Sequence, residues 1–199
     1  FADDFVMGFQ HREEAEQCQR ELQRRLQKFG LELHSEKTRL IEFGRFAAQN
    51  RKRRGDSRPE TFDFLGFTHC CGRTRRGAFK ITRTTMAKRM RAKLRDIKEE
   101  LHKMMHAPLH VQGERLRRVI QGWFNYNAIP GNYYRLVRFR DQVARHWIRV
   151  LRRRSHKARN KWPWKRLQPH ITRWFPKAQI LHPYPEQRLR PLTPKVGAE

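Results

Sequence analysis

The sequence predicts an α+β fold: a short run of antiparallel strands with one helix, then a mainly helical bundle and a Pro-rich tail. Three observations predict it. Short apolar runs of strand type, with one amphipathic helix and glycine-marked turns among them, recur through residues 1–83. Apolar stripes at helical spacing then dominate residues 84–154. Charge divides earlier in the chain: residues 1–44 hold 7 basic and 9 acidic side chains, and residues 45–199 hold 39 and 10, a net of +29.

The opening Phe1-Ala2-Asp3-Asp4-Phe5-Val6-Met7 reads as strand and turn. Residues 12–29 read as an amphipathic helix with Ala15, Cys18, Leu22, Leu26 and Phe29 at helical spacing, and Gly30 as its stop. Residues 31–34 and 38–43 are short strand candidates. Residues 44–60 read as a loop, with Gly44, Gly55, Pro59 and the run Arg51-Lys52-Arg53-Arg54. Residues 62–68 alternate like a strand, with Gly66 as a bulge or point of close approach. A basic turn from Cys71 to Gly77 returns the chain as residues 78–82. A helix capped by Thr84 or Thr85 is expected to about Met105, with Met86, Met90, Leu94, Ile97 and Leu101 inward, and Pro108 ends it. A second covers about 112–126, with Leu116, Val119, Ile120 and Trp123 inward. A third, capped by Asn132, reaches about Arg154 with Leu136, Phe139, Val143, Trp147 and Val150 inward. Residues 162–175 are expected as a short helix. The prolines from Pro176 onward predict a tail that is extended along a surface or disordered. The domain reading is 1–83, 84–160 and 161–199.

Charge narrows the function classes. The whole chain carries +27, so the expected partner is a polyanion held through phosphates. A membrane surface is the rival, disfavoured by the lack of a long apolar run and by a mean hydropathy of −0.97. Cys18, Cys70 and Cys71 are an odd set, and the neighbouring pair does not easily bridge itself, so no disulfide framework is expected and a reducing cytoplasm fits. No signal peptide is visible. The chain opens in mid-strand without an initiator Met and reads as a piece of something longer.

Asp3 and Asp4 are the sharpest chemical signal. Paired carboxylates within apolar sequence suit a divalent cation, which takes hard oxygen ligands; a polar turn is the competing reading. His102, His106 and His110 recur every four residues, but Pro108 breaks their register and no acid or Cys completes a zinc set. His69-Cys70-Cys71 has the wrong spacing for a zinc hairpin and reads as strand-end residues. No Gly-rich phosphate loop and no nucleophile arrangement stands out. Trp162, Trp164 and Trp174 among basic residues suit stacking on unpaired bases or packing of the short helix, with packing favoured for most of them.

The order of these blocks carries a resemblance. Phe-Ala-Asp-Asp, a helix, residues 30–38 (Gly-Leu-Glu-Leu-His-Ser-Glu-Lys-Thr) and Phe62-Asp63-Phe64-Leu65-Gly66-Phe67 resemble the last blocks of a reverse transcriptase palm. Downstream, Trp123-Phe124-Asn125-Tyr126-Asn127, residues 130–133 (Pro-Gly-Asn-Tyr), residues 151–155 (Leu-Arg-Arg-Arg-Ser) and residues 180–185 resemble the thumb, or maturase domain, of bacterial group II intron reverse transcriptase/maturases. The resemblance covers nearly the whole chain. Phe1 stands where the family more often has Tyr, and residues 191–199 depart from its pattern.

The resemblance implies roles. Asp3 and Asp4 match the catalytic Mg²⁺ ligands, Lys37 a lysine near the incoming dNTP, and Leu65, Gly66 and Phe67 the primer grip. The basic residues Arg89, Arg91, Lys93, Arg152, Arg153, Arg154 and Lys157 are expected on RNA. Group II intron RNA, an RNA template with a DNA primer, and dNTPs are the implied partners, with no membrane, in a bacterial cytoplasm. The fingers, the first half of the palm and a further metal-binding aspartate are expected to precede Phe1. The chain by itself is therefore expected to be an inactive part of an RNA-directed DNA polymerase. A stand-alone RNA-binding maturase module and a remnant of a mobile element are the alternatives.

Overall fold

The computed structural model describes residues 4–56 and 58–184. It is α+β, with a three-stranded antiparallel sheet and a majority of helix. The chain divides into two compact units, residues 1–82 and 83–199.

In the first unit, α1 spans Arg12–Gln27. Its acidic first turn (Glu13, Glu14) and basic last turn (Arg24, Arg25) complement the helix dipole. Of its predicted apolar stripe, Ala15 is buried and Cys18, Leu22 and Leu26 are half-buried. Phe29 lies past the helix end and is 72% exposed. Gly30 takes φ 68°, the left-handed conformation that ends helices, as expected.

The expected strands at 31–34 and 38–43 do not form, and residues 4–9 are irregular. Apolar side chains select a strand only when a second backbone completes its ladder, and the sheet consists of β1 (Phe62–Phe64), β2 (Phe67–Arg73) and β3 (Phe79–Thr85) in that order. Instead, residues 38–60 lie against the hairpin. The Phe43 ring meets Phe62 edge-on at 5.0 Å, Phe62 stacks on His69 at 4.7 Å, and the Gly44 N–H donates to Cys71 Sγ at 3.4 Å.

The expected loop 44–60 contains a second helix, α2 (Ala47–Arg53). Ala47, Ala48, Gln49 and the basic run are good helix formers, and the glycines flanking them bound the helix rather than exclude it. Its Asn50 Nδ2 donates to Glu42 at 2.8 Å and Arg54 pairs with the same carboxylate, which lowers the pKa of Glu42, the Asn50 bond first. Glu60 pairs with Arg39 and Arg51 at 3.2 and 3.5 Å.

The second unit is built on α3 (Ala87–Lys103), α4 (Leu109–Asn127) and α5 (Tyr133–Arg152). Met90, Leu94, Ile97 and Leu101 of α3 meet Leu116, Ile120 and Phe124 of α4 and Leu136, Phe139, Val143 and Trp147 of α5 in one buried cluster. The expected capping of α3 by Thr84 or Thr85 does not occur: Met86 precedes the helix. Thr85 is buried and engaged elsewhere. Its N–H donates to Asn132 Oδ1 at 3.0 Å and its hydroxyl to Asn127 Oδ1 at 2.8 Å, while Asn132 Nδ2 donates to Thr85 Oγ1 and to the Asn127 carbonyl, both at 2.7 Å. Asn132 does occupy the residue before α5, but its side chain serves this clasp and makes no capping bond. α4 begins three residues before the expected 112, directly after Pro108, whereas α3 already ends at Lys103 and not at the proline.

Gln112 closes the turn between α3 and α4. Fully buried, it donates from Nε2 to the Met104 and Met105 carbonyls at 2.7 and 3.1 Å and accepts the Trp147 indole N–H at 2.8 Å. The short helix expected over 162–175 is α7 (Trp164–Trp174), and a four-residue helix that was not expected, α6 (Ala158–Lys161), precedes it. Pro163 separates them, since the residue before a proline disfavours helical backbone. Trp162 and Trp174 are buried, and Trp164 is 41% exposed. The residues after α7 are extended along the bundle: Arg140 Nε donates to the Pro176 carbonyl at 3.0 Å, and the Leu181 N–H to Ala128 O at 2.9 Å. The rest of the Pro-rich tail, from 185, lies outside the described residues.

Two histidines sit in this bundle among cations. Burial pushes His146 of α5 below the ordinary imidazole range, and Arg149 of α5 with Lys98 and His102 of α3 push the same way. His170 of α7, stacked on Trp174 at 5.5 Å, is lowered by burial and then by Arg166 and Arg173. The folded values lie below the unfolded value near 6.5. Their stabilising contribution is therefore complete above about pH 6.5 and falls as the pH drops through the folded values. The melting temperature is expected to be lower at pH 5 than at pH 8, with a smaller difference in His146→Gln. A parent difference that this substitution leaves unchanged refutes the assignment to His146.

Candidate nucleic-acid interface

Lys37 is exposed in a turn whose backbone N–H donates to His34 O at 3.1 Å. Asp4 is exposed, and Asp3 lies outside the described residues. No hydrogen bond or ion pair joins Asp4 to Lys37. Leu65 and Gly66 form the two-residue turn between β1 and β2, where Phe64 pairs with Phe67. Both take positive φ, 47° and 79°, as a tight hairpin of this length requires. Gly66 adopts it without penalty. Leu65 is a rarity there, strained and 62% exposed at the hairpin tip. Phe67 turns inward and is buried. The expected bulge at Gly66 is thus a turn.

The expected RNA-contacting cations fall into two groups. Arg89 and Arg91 on α3, Arg153 after α5 and Lys157 are exposed, and Lys93 is half-buried. The side chains of these five make no hydrogen bond or ion pair among the described residues. Arg152, also exposed, and Arg154, half-buried, each make a hydrogen bond to a backbone carbonyl as well. Arg152 Nε donates to the Trp162 carbonyl at 2.9 Å, and Arg154 Nη2 to the Ala107 carbonyl at 2.7 Å. Burial lowers the Arg154 pKa from the usual guanidinium value.

A cleft of about 450 Å³ lies in the second unit, lined by Lys93 of α3 and by Arg115, Arg118, Val119, Gly122, Trp123, Tyr126 and Asn127 of α4. Val119 and Trp123, expected inward, are half-buried in its wall, and Trp123 stacks on Phe139 at 4.6 Å. Arg115 pairs with Glu100, whereas Arg118 has no ion pair among the described residues. Sequence reading found Lys93 and missed Arg118, Gly122 and Tyr126. Their signal is the i, i+4, i+8 spacing of 118, 122 and 126, on the opposite side of α4 from Leu116, Ile120 and Phe124. Such an arrangement holds phosphates with its cations and aromatic bases with its rings.

Two-ion phosphoryl transfer needs carboxylates that clamp both ions, and among the described residues no three His, Cys, Asp or Glu side chains gather to hold one. Among those residues no helix is long and apolar enough to cross a membrane.

Comparison with known proteins gives one relationship. Residues 1–69 match the family model of the reverse transcriptase (RNA-dependent DNA polymerase). This stretch includes α1, α2 and the β1–β2 hairpin tip, so the segment is reverse transcriptase-related, which implies nucleic acid template and primer and dNTPs as the general partners of such domains. No curated protein and no solved structure matches the chain.

Proposed function

We propose that the chain is a segment of a bacterial group II intron reverse transcriptase/maturase, spanning the end of the palm and the thumb that holds intron RNA. The observation that carries this reading is the reverse transcriptase match over residues 1–69 running directly into a strongly basic helical unit. In the polymerase reaction Asp3 and Asp4 would hold Mg²⁺, which stabilises charge at the transferred phosphoryl group. Lys37 would face the dNTP triphosphate, and the strained tip Leu65-Gly66 with Phe67 would hold the primer end. Arg89, Arg91, Lys93, Arg153 and Lys157 would contact RNA phosphates, in splicing as in mobility. Arg152 and Arg154 would contact RNA as well, while their bonds to the Trp162 and Ala107 carbonyls hold the end of α5.

On this reading the chain by itself binds RNA without polymerising. Supplied with Mg²⁺, an RNA template, a DNA primer and dNTPs, it is expected to extend no primer, as read on a sequencing gel. Extension above background overturns that division of labour. The maturase reading is tested with a self-splicing group II intron transcript. Adding the chain is expected to restore splicing at a Mg²⁺ concentration too low for the RNA alone. Binding without any gain in splicing leaves a plain RNA-binding module.

A further inference from the structure

We infer that the cleft between α3 and α4 is a subsite for one unpaired nucleotide of a bound RNA, with its base against Tyr126 and Trp123 and its phosphate on Lys93 and Arg118. This rests on the RNA-binding reading of the second unit and adds a specific ligand to it. Three observations carry it.

The first is chemical. The cleft combines two cations that have no ion pair among the described residues with two aromatic side chains, Tyr126 half exposed and Trp123 half-buried. A paired strand shows phosphates, sugars and base edges on its outside, and its base faces are stacked inside. An extruded base brings a π face and a phosphate together, and stacking on aromatic side chains is how unpaired bases are held. The second is size. At about 450 Å³ the cleft is in the range of small-ligand sites and admits a single nucleotide.

The third is Gly122. α4 carries two interior glycines, at 113 and 122. At Gly113 an added Cβ would strike the Trp174 ring, 2.7 Å from Cε3 and 2.8 Å from Cε2, so the core itself demands glycine there. At Gly122 an added Cβ meets nothing within 4 Å. Glycine weakens a helix interior relative to alanine, and no neighbour within the described residues requires it at this position. Gly122 faces the cleft, so its missing side chain keeps open a space that a ligand can fill.

The test uses the full chain and two RNA hairpins of equal length, one fully paired and one with a single bulged 2-aminopurine. The parent is expected to bind the bulged hairpin about tenfold more tightly, with a change in 2-aminopurine emission as the base stacks. Gly122→Leu fills the cleft from an open position, and the ratio of the two affinities is expected to fall to about one. Its melting temperature is measured alongside. Should that variant melt early, Arg118→Gln carries the test, with a larger fall in the ratio than Arg153→Gln outside the cleft. A parent ratio near one, or an unchanged ratio in well-folded Gly122→Leu, overturns the subsite while leaving general RNA binding standing. Failure to bind either hairpin overturns both.

Discussion

Raising monovalent salt from 50 to 200 mM is expected to weaken binding of this chain to structured RNA by about a thousandfold, the loss associated with roughly six neutralised phosphates. The cations are at hand. Residues 45–199 carry a net +29, and Arg89, Arg91, Lys93, Arg118, Arg153 and Lys157 have no protein partner among the described residues to compete with a phosphate. Each phosphate contact releases condensed counterions, so the logarithm of affinity falls linearly with the logarithm of salt. Arg153→Glu with Lys157→Glu is expected to flatten that slope by about two. Reversal of Arg152 or Arg154 is a poorer probe, because their hydrogen bonds to Trp162 and Ala107 would be lost with the charge. An affinity that ignores salt, measured by filter binding or fluorescence anisotropy, would refute the electrostatic account and with it the reading of the second unit as an RNA holder.

The largest expected loss of stability comes from Gly113→Leu. Trp174 lies over Gly113 so closely that even one added carbon overlaps its ring. The ring cannot slide aside, since it meets Trp147 edge-on at 6.0 Å and stacks on His170 at 5.5 Å. A leucine there must expel it, and removing a buried tryptophan from its packing costs about 4 kcal/mol. Leu167, Ile171 and Phe175 are buried in the same cluster, so α7 is expected to come off with it. The signature is a large fall in melting temperature together with new tryptic cleavage at Arg159, Lys161, Lys165 or Arg166. Gly122→Ala, nine residues further along the same helix, is expected to raise stability by up to about 1 kcal/mol. If Gly113→Leu melts with the parent, the docking of α7 does not depend on this contact.

The helical half of the molecule was legible in the sequence because an amphipathic helix completes its own hydrogen bonds. Leu94, Ile97, Leu116, Ile120, Phe139, Val143 and Trp147 show in their spacing which face turns inward, and those faces meet in the core. Gly30 acts on its own backbone dihedrals and was read as a helix stop, and the short helix expected over 162–175 forms as α7 directly after Pro163. The strands at 31–34 and 38–43 were misread for the complementary reason. Alternation supplies side chains for a sheet, but the ladder belongs to a second segment that no local pattern names. The chemistry divides in the same way. A family pattern in the sequence marked Lys37, the Leu65–Phe67 turn and the Asp3-Asp4 pair, of which Asp3 lies outside the described residues. Tertiary structure alone decided which arginines also bond to the backbone. Arg152 and Arg153 are neighbours of identical type, yet one donates to a carbonyl ten residues away and the other makes no protein contact of that kind among the described residues. It also decided that Thr85 joins Asn127 and Asn132 instead of capping a helix, and that two glycines of one helix serve opposite ends. Hydrogen bonds and close contacts between distant residues depend on where the whole chain places each atom, and composition and periodicity carry no record of that.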